Sequence, residues 1–322
     1  MRQLFYISFL SFLVLIMSCQ DKPSAPSGNL PKIKRELNLI PLDTAEFKLN
    51  SEWNKYWYAG NAEITSYHLK QSRYGEIHEG NLVNIFVTED FSKTKQVKLD
   101  EPEDVGSDRI KILKLNQSLK FVTGIYPYSM MLSTFSPLDI NRYPHAIKIT
   151  ASAQEWCGQS FFQLNNSGGE FLLEQRSYFE KENDHDLNIP QVVLEDELWN
   201  RLRLDPMQMP IGKQQVLPGA LYFRLSHKPL KADTAELKLT EQDSTLKYSI
   251  SYPELNRQLE IRLEKKFPYA ILSWMDTFPG IDGKVLTTTA TRNRTIMLDY
   301  WNKHGNVDRE LRAQLGLQPG LQ

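Results

Sequence analysis

The sequence predicts a mainly β protein, built as one large antiparallel sheet that is curled or barrel-like and carries a few short helices. Apolar and polar residues alternate in many segments, most clearly at residues 246–252 and 259–263. This period of two places one face of a strand in the core. Turn-forming residues separate such segments, as at 253–257 and 165–169.

Composition limits the class of protein before any motif is considered. The chain has 322 residues, of which 41% are hydrophobic and 24% are charged, as expected of a folded globular protein. Its formal net charge is -1, so we expect no nucleic-acid partner, which would need a basic surface. Its two cysteines are too few for a disulfide scaffold.

The predicted strands follow one another along the chain with short returns. Besides the two clearest segments, they are residues 63–73, 82–88, 110–122, 128–135, 147–149, 161–164, 171–178, 221–225, 237–239, 269–274 and 285–295. The pattern predicts about eleven to thirteen strands, and a sheet of that size is expected to curl or close so that its edges are hidden.

Helical spacing predicts one longer helix, at residues 194–204, where three leucines and a tryptophan share one face. Shorter helices are expected at residues 51–58, 298–304 and 307–315. We expect residues 32–322 to form a single β-rich body. A seam within it is expected, if anywhere, at 207–219, where prolines and glycines are concentrated.

The N-terminus has the pattern of an export signal. Residues 4–17 are almost wholly apolar, and as a helix they would span roughly 21 Å, short of the hydrocarbon core of a membrane. The segment ends in Ile-Met-Ser-Cys, which resembles a bacterial lipobox. We therefore expect residues 1–18 to be a lipoprotein signal peptide and Cys19 to become lipidated. The alternative is a plain secretory signal with an incidental cysteine.

Residues 19–31 are rich in proline, serine and glycine and predict a flexible tether after the lipidated cysteine. The expected location is the cell envelope, with the body anchored to a membrane by the N-terminal lipid. The outer membrane is the favoured membrane, and its periplasmic and surface faces both remain open. Three acyl chains on such a lipoprotein would hold it firmly, whereas one chain binds only marginally.

The segment at residues 155–160, which runs from Glu155 to Ser160, is the weak candidate for catalysis because it contains Cys157, the one thiol besides Cys19. A nucleophilic cysteine needs a lowered pKa, and no base lies near it in the sequence. A lone cysteine is more often a buried packing residue, and we expect that role here. No histidine or cysteine spacing typical of a metal site is present, and no cofactor is expected.

Aromatic residues cluster in two places and give two interpretations. They pack the sheet and cover one end of it, or they line a site for an apolar or glycan ligand. The residues proposed to line such a site are Trp57, Tyr126, Tyr128 and Trp156.

Three short segments resemble the O-glycosylation motif of exported Bacteroidota proteins, an aspartate followed by serine or threonine and a small or apolar residue. They contain Thr44, Thr234 and Ser244. Because so short a motif also occurs by chance, each of the three is a hypothesis.

Five segments carry a resemblance to a known family: residues 57–64, 71–76, 85–91, 95–98 and 154–159. Together they resemble a family of Bacteroidota lipoproteins of unknown function, whose members are often labelled "septum formation inhibitor Maf". True Maf proteins are α/β nucleotide pyrophosphatases with a Ser/Arg-rich phosphate-binding motif, and this chain has no such motif. The resemblance implies a lineage and a compartment, and it assigns no catalytic residue.

The sequence thus favours a lipid-anchored envelope protein of unknown molecular function. We expect a binding or assembly module without enzymatic activity, whose partner is an apolar ligand, a glycan or an envelope protein. The alternative is an envelope hydrolase or transferase that uses residues 155–160.

Replacing the lipobox cysteine tests the predicted anchor. In Cys19→Ala the acceptor of the lipid is lost, so the protein should leave the membrane fraction or remain as uncut precursor. Membrane fractionation and the mass of the N-terminal peptide report both effects, and a Ser18→Ala variant serves as the control. Unchanged processing with full membrane retention would contradict lipidation.

Overall fold

The computed structural model describes residues 37, 39–49 and 51–318. Residues Glu36–Gln322 form one compact unit. The predicted signal peptide, the lipidated Cys19 and the tether lie outside the described residues and stay predictions. Domain boundaries likewise stay predictions, although residues 212–217 of the proposed seam form a strand of the same sheet as the rest.

The described residues form a single sheet of 15 strands, which confirms the mainly β fold. The strands are β1 Ala62–Arg73, β2 Glu76–Ser92, β3 Arg109–Thr123, β4 Tyr126–Pro137, β5 Lys148–Glu155, β6 Gly158–Asn166, β7 Glu170–Ser177, β8 His185–Pro190, β9 Val193–Leu194, β10 Gly212–Leu217, β11 Asp233–Gln242, β12 Thr245–Tyr252, β13 Arg257–Glu264, β14 Ile271–Pro279 and β15 Val285–Leu298. All neighbouring strands are antiparallel except β9 and β10.

The chain builds the sheet from its middle outwards. The first and last strands, β1 and β15, pair with each other. Strands β2 to β8 then extend the sheet on one side, and β14 back to β9 extend it on the other. The sheet is not closed, because β8 and β9 are its two edges. Only residues 191–192 separate these edge strands along the chain, so the sheet must curl to bring them together.

Alternation along the strands places the core on the inner, concave face. Between β12 and β13, Tyr248 pairs with Ile261 and both are buried, whereas the next pair, Lys247 and Arg262, points outwards. The same alternation recurs along β3 and β4. A single large apolar cluster therefore fills the inside of the curled sheet.

Among the described residues, four α-helices accompany the sheet: α1 Ser51–Trp57, α2 Glu195–Leu204, α3 Ala220–Ser226 and α4 Leu311–Gln314. Helix α2 confirms the prediction for residues 194–204 and packs on the inner face against β3 and β4. The short helices predicted near both ends of the body are also present, the C-terminal ones partly as 3-10 turns.

Helix α3 corrects the strand predicted at residues 221–225. Tyr222, Phe223, Arg224 and Leu225 are all buried, so the helix is enclosed on every side. A short apolar run that is buried all round has no helical period and cannot be distinguished from a buried strand by pattern alone. The short strands β8, β9 and β10 were not predicted, because β9 has only two residues and the sequences of β8 and β10 are brief and largely polar.

Two outer surfaces of the sheet are covered by the ends of the described chain. Leu315, just after α4, packs against Ala62, Ile64 and Val87 on the outside of β1 and β2. Leu39, near the start, packs on a second outer cluster that contains Phe91. These contacts explain why the first half of β1 is buried on both faces.

Helix α2 is joined to the sheet by a buried ion pair at its C-terminal end. The guanidinium of Arg203 makes two hydrogen bonds of 2.6 Å to the carboxylate of Glu63 on β1. Side chains of both residues are at most 2% exposed. Arg203 Nε also donates to the carbonyl of Pro268 at 3.0 Å, and the guanidinium lies 4.7 Å from the Phe86 ring. Such geometry is required for a buried pair to offset its desolvation.

Removing one member of this pair should strongly destabilise the fold. We expect Arg203→Met to lower the free energy of unfolding by about 3–5 kcal/mol, because the buried Glu63 carboxylate would lose its paired cation and keep only the hydrogen bond from Tyr56. Adding Glu63→Gln should recover part of that loss. Urea unfolding measures both changes.

The control is Lys265→Met, which breaks an exposed pair with Glu241 and should cost less than about 1 kcal/mol. If Arg203→Met costs no more than this control, the buried pair does not hold α2 to the sheet.

Candidate functional site

A pocket of about 310 Å³ lies between the inner face of strands β5–β8 and helix α3. Small side chains create it: Ala151 and Ala153 on β5 lie opposite Phe162 and Ser160 on β6. Elsewhere the inner positions hold leucine, isoleucine and aromatic residues that fill the core. Leu221 of α3 and its apolar neighbours form the facing wall. The sheet thus leaves an apolar space at one place.

One edge of the pocket is lined by charged side chains: Lys181, Glu182, Arg224, His227 and Lys228. Glu182 Oε1 accepts a hydrogen bond of 2.9 Å from Arg224 Nη1 and lies 2.8 Å from His227 Nδ1. Lysine and arginine cations therefore outnumber the single carboxylate along this edge. The pocket combines an apolar interior with a positively charged edge.

Arg224 is buried, with only 8% of its surface exposed, which is unusual for a charged residue. Its Nη2 lies 3.6 Å from Glu155 Oε1, and its guanidinium carbon lies 4.2 Å from the centre of the Phe179 ring. Its Nε is buried and has no hydrogen-bond partner among the described residues. One donor of the guanidinium thus remains unused beside the pocket.

The carboxylate of Glu182 is ionised near neutral pH. Burial raises its pKa, but hydrogen bonds from His227 and Ser177 and the charge of Arg224 outweigh burial, so the pKa lies below its usual value. The Ser177 hydroxyl donates to Glu182 Oε2 at 2.8 Å. Both oxygens of this carboxylate are therefore engaged by the protein.

His227 ends α3 in the left-handed conformation, with φ of 53°. Arg73 Nη2 lies 3.3 Å from its Nε2, and Arg73 Nη1 donates to the carbonyl of Leu225 at 2.6 Å. Arg73 also lies over the ring of Tyr74, whose hydroxyl is 2.8 Å from that of Tyr128. This cluster fixes the orientation of the imidazole.

Three of the four aromatic residues predicted to line a ligand site come together beside this cluster. The Tyr126 ring lies 5.8 Å from the Tyr128 ring and 6.4 Å from the Trp156 ring. Tyr126 and Tyr128 lie at the start of β4 and Trp156 lies in the β5–β6 turn, at the same end of the sheet, and none of the three lines the pocket itself.

Trp57 lies elsewhere and does not line this pocket. It is 1% exposed and belongs to the core, 5.1 Å from the guanidinium of Arg203. Helix α1 precedes β1 and therefore lies at the opposite end of the sheet from the β1–β2 turn, where Tyr74 lies.

Cys157 is exposed, which corrects the prediction of a buried thiol. Strand β5 ends at Glu155, so Trp156 and Cys157 form the turn to β6 and not part of a strand. The backbone N–H of Cys157 donates to Glu155 Oε2 at 2.8 Å. Hydrogen bonding to Glu155 and the charge of this carboxylate raise the pKa of the thiol, which disfavours the nucleophilic thiolate.

The three candidate glycosylation residues differ in exposure. Thr44 lies exposed in a bend, and Ser244 is exposed in the turn between β11 and β12. Thr234 is half-buried on β11, and its hydroxyl accepts a hydrogen bond from Gln215 at 2.7 Å. Thr44 and Ser244 are therefore the more accessible acceptors, and modification of all three remains a prediction.

A second cavity of about 60 Å³ lies at the first turn of α2. Arg257 on β13 makes two hydrogen bonds of 2.7 Å to Glu195 and two of 2.8 and 2.9 Å to Asp276. Asp196 Oδ2 accepts from the N–H of Ala220, the first residue of α3, at 2.9 Å. Burial, followed by the charge of Glu195, raises the pKa of Asp196 to about 7. Arg257 thus binds two carboxylates, and the buried carboxyl group of Asp196 follows Glu195 directly in the chain.

Within the described residues, no group of three or more histidine, cysteine, aspartate or glutamate side chains is arranged to hold a metal ion. Helices long and apolar enough to span a membrane are likewise not found among them.

The residues that make the pocket were not identified from the sequence. A partial signal was present, because the small residues Ala151, Ala153 and Ser160 lie just beyond the strands predicted at 147–149 and 161–164. No such signal exists for Glu182, Arg224 and His227, because the first of these lies 42 residues before the second.

Comparison with known proteins shows little similarity in sequence. No family model and no curated protein matches the chain. Among solved structures, the chain is similar to a crystal structure described as a beta-barrel-like protein of domain of unknown function DUF1849 from Brucella abortus. The two share 6% identity over 74% of this chain and 98% of that chain, with a TM-score of 0.42.

The raised pKa of Asp196 predicts a specific dependence of stability on pH. This carboxyl binds a proton more tightly in the folded than in the unfolded chain. Its contribution to stability is therefore complete below its unfolded pKa of about 4 and is lost as the pH rises towards 7. In Asp196→Asn the amide oxygen can still accept from Ala220, but the titration is removed.

Urea unfolding between about pH 4 and pH 8 tests this. Relative to wild type, Asp196→Asn should gain stability as the pH rises through that window. Asp205→Asn, which changes a more exposed carboxyl after α2, is the control. Parallel pH profiles for wild type and Asp196→Asn would show that Asp196 does not titrate there.

Proposed function

We propose that this protein is a lipid-anchored envelope protein that binds an amphipathic small molecule, without enzymatic activity, in the pocket between β5–β8 and α3. The single observation that carries the proposal is the pocket itself. Its volume of about 310 Å³ lies at the lower end of the range of ligand pockets, and most such pockets pair an apolar lining with a few polar groups.

The small residues on β5 and β6 support the proposal that the pocket binds a ligand. A core packed for stability alone would fill it, because unfilled volume costs free energy. Ala151, Ala153 and Ser160 instead leave an opening that runs from the apolar interior to the charged edge. An amphipathic molecule fits this arrangement, with its apolar part against the strands and its polar part at the edge.

An enzymatic role for residues 155–160 has less support. Ser160 lines the pocket, but Cys157 lies in the turn outside it, and its raised pKa favours the thiol. Glu155 is directed to Arg224 and to the backbone of Cys157, and no activated nucleophile results from these contacts.

The envelope location proposed here rests on the lipobox before Cys19 and on the resemblance to Bacteroidota lipoproteins. Within the described chain, the N–H of Leu42 donates to the carbonyl of Arg142 in the β4–β5 connection at 2.8 Å. That connection and the β5–β6 turn lie at opposite ends of β5, so Leu42 lies far from the charged edge of the pocket.

Photo-crosslinking with an apolar probe tests the proposal. Membranes from cells that express the full chain are treated with a stearyl alcohol that carries a diazirine, and labelled peptides are identified by mass spectrometry. We expect labelling of α3 and of the inner residues of β5 and β6. Ser160→Phe fills the pocket and should abolish most of this labelling. Gln159→Phe places the same ring on the outer face of β6 and should leave the labelling unchanged.

Thermal unfolding of both variants verifies that they fold. Equal labelling of the two folded variants, or a wild type whose pocket peptides stay unlabelled, would contradict ligand binding in this pocket.

A further inference from the structure

The charged edge of the pocket holds a carboxylate in the position expected for the polar end of a ligand. Glu182 Oε1 bridges Arg224 Nη1 at 2.9 Å and His227 Nδ1 at 2.8 Å. Lys181 and Lys228 line the same edge and are exposed. Arg224 lies near two carboxylates, those of Glu182 and Glu155. With the two lysines counted, the edge holds three cations against these two carboxylates, so it can accept one further negative charge.

Both partners of Glu182 are prepared to bind an oxyanion. An arginine can only donate, so Arg73 Nη2 donates to His227 Nε2 at 3.3 Å. Nδ1 is then the ring nitrogen that donates to the Glu182 carboxylate. Arg224 Nε, buried and without a hydrogen-bond partner among the described residues, is a further unused donor of the same guanidinium. When the Glu182 carboxylate moves away, Arg224 Nη1 and His227 Nδ1 are both free to donate to an oxyanion.

We propose that Glu182 is a placeholder for the head group of the ligand. The pocket takes a single-chain amphiphile with an oxyanion head group, a carboxylate or a phosphate, which displaces the Glu182 carboxylate from Arg224 and His227. This inference rests on the proposed binding function and specifies the class of ligand.

The exchange needs only the side chain of Glu182 to move. The backbone of the β7–β8 connection is held in place, because Gln175 Nε2 donates to the carbonyl of Glu182 at 2.9 Å and the N–H of Ser177 donates to Asp184 at 3.0 Å. Once displaced, the carboxylate retains Lys181 and Lys228 as neighbours at the open edge. The size of the pocket favours one acyl chain over two, since about 310 Å³ is near the minimum for a ligand pocket.

Three diazirine probes on the full chain in membranes test this class of ligand: stearate, a lysophosphatidic acid and stearyl alcohol. The measurement is the probe concentration that gives half-maximal labelling of the pocket peptides. In Glu182→Gln the competing charge is gone, so this concentration should fall by about tenfold for at least one anionic probe and stay unchanged for the alcohol. Glu180→Gln, an exposed carboxylate in the same connection, should change nothing.

Removing a cation from the charged edge should raise the concentration of anionic probe that gives half-maximal labelling. Lys228→Ala changes an exposed residue and should weaken labelling by the anionic probe without weakening labelling by the alcohol. Arg224→Met should weaken labelling by the anionic probe more strongly. Thermal unfolding verifies that this variant folds. If Glu182→Gln strengthens labelling by stearate alone, the head group is a carboxylate. If it strengthens labelling by lysophosphatidic acid, alone or together with stearate, the class extends to phosphate.

Two failures are distinguishable. If no probe labels the pocket, the binding function itself fails. If the alcohol and both anionic probes label it equally well, and Glu182→Gln alters none of them, the pocket binds apolar chains but Glu182 is not a placeholder.

Discussion

Buried carboxylates in the first turn of α2 hold the interior of this protein together. Glu195 binds Arg257 on β13, Asp196 binds the first N–H of α3, and Glu197 binds His145 and the N–H of Ala146 beyond β4. Three consecutive residues thus connect one helix to three different parts of the fold. Negative side chains are also favoured at a helix N-terminus by the helix dipole. At the other end of α2, Arg203 binds Glu63 on β1.

The pocket depends on these contacts because they position α3. Gly219 precedes α3, and a Cβ atom there would lie 2.7 Å from Glu195 Oε1 and 2.8 Å from Asp196 Oδ1. Only glycine lets the chain pass this close to the two carboxylates. Helix α3 then begins at Ala220 and carries Arg224 and His227 to the charged edge. The buried charges that hold the fold together therefore also position Arg224 and His227 at the pocket.

Local periodicity determined what could be predicted from the sequence. The β12–β13 hairpin and α2 were predicted because alternation and helical spacing are properties of a few consecutive residues. Helix α3 was mistaken for a strand because it is buried all round. The pairing of Glu182 with Arg224 joins residues far apart in the chain and leaves no local pattern. Cys157 was placed in a strand because the end of β5 could not be located to within a residue or two.

A crystal structure of the full chain, purified from its own membrane with the molecules it binds there, tests ligand binding most directly. Binding in the pocket predicts continuous density for one chain between β5–β8 and α3. Its head group should contact Arg224 and His227, and the Glu182 side chain should be turned away from both. A pocket that holds only water, with Glu182 still on Arg224 and His227, would contradict it.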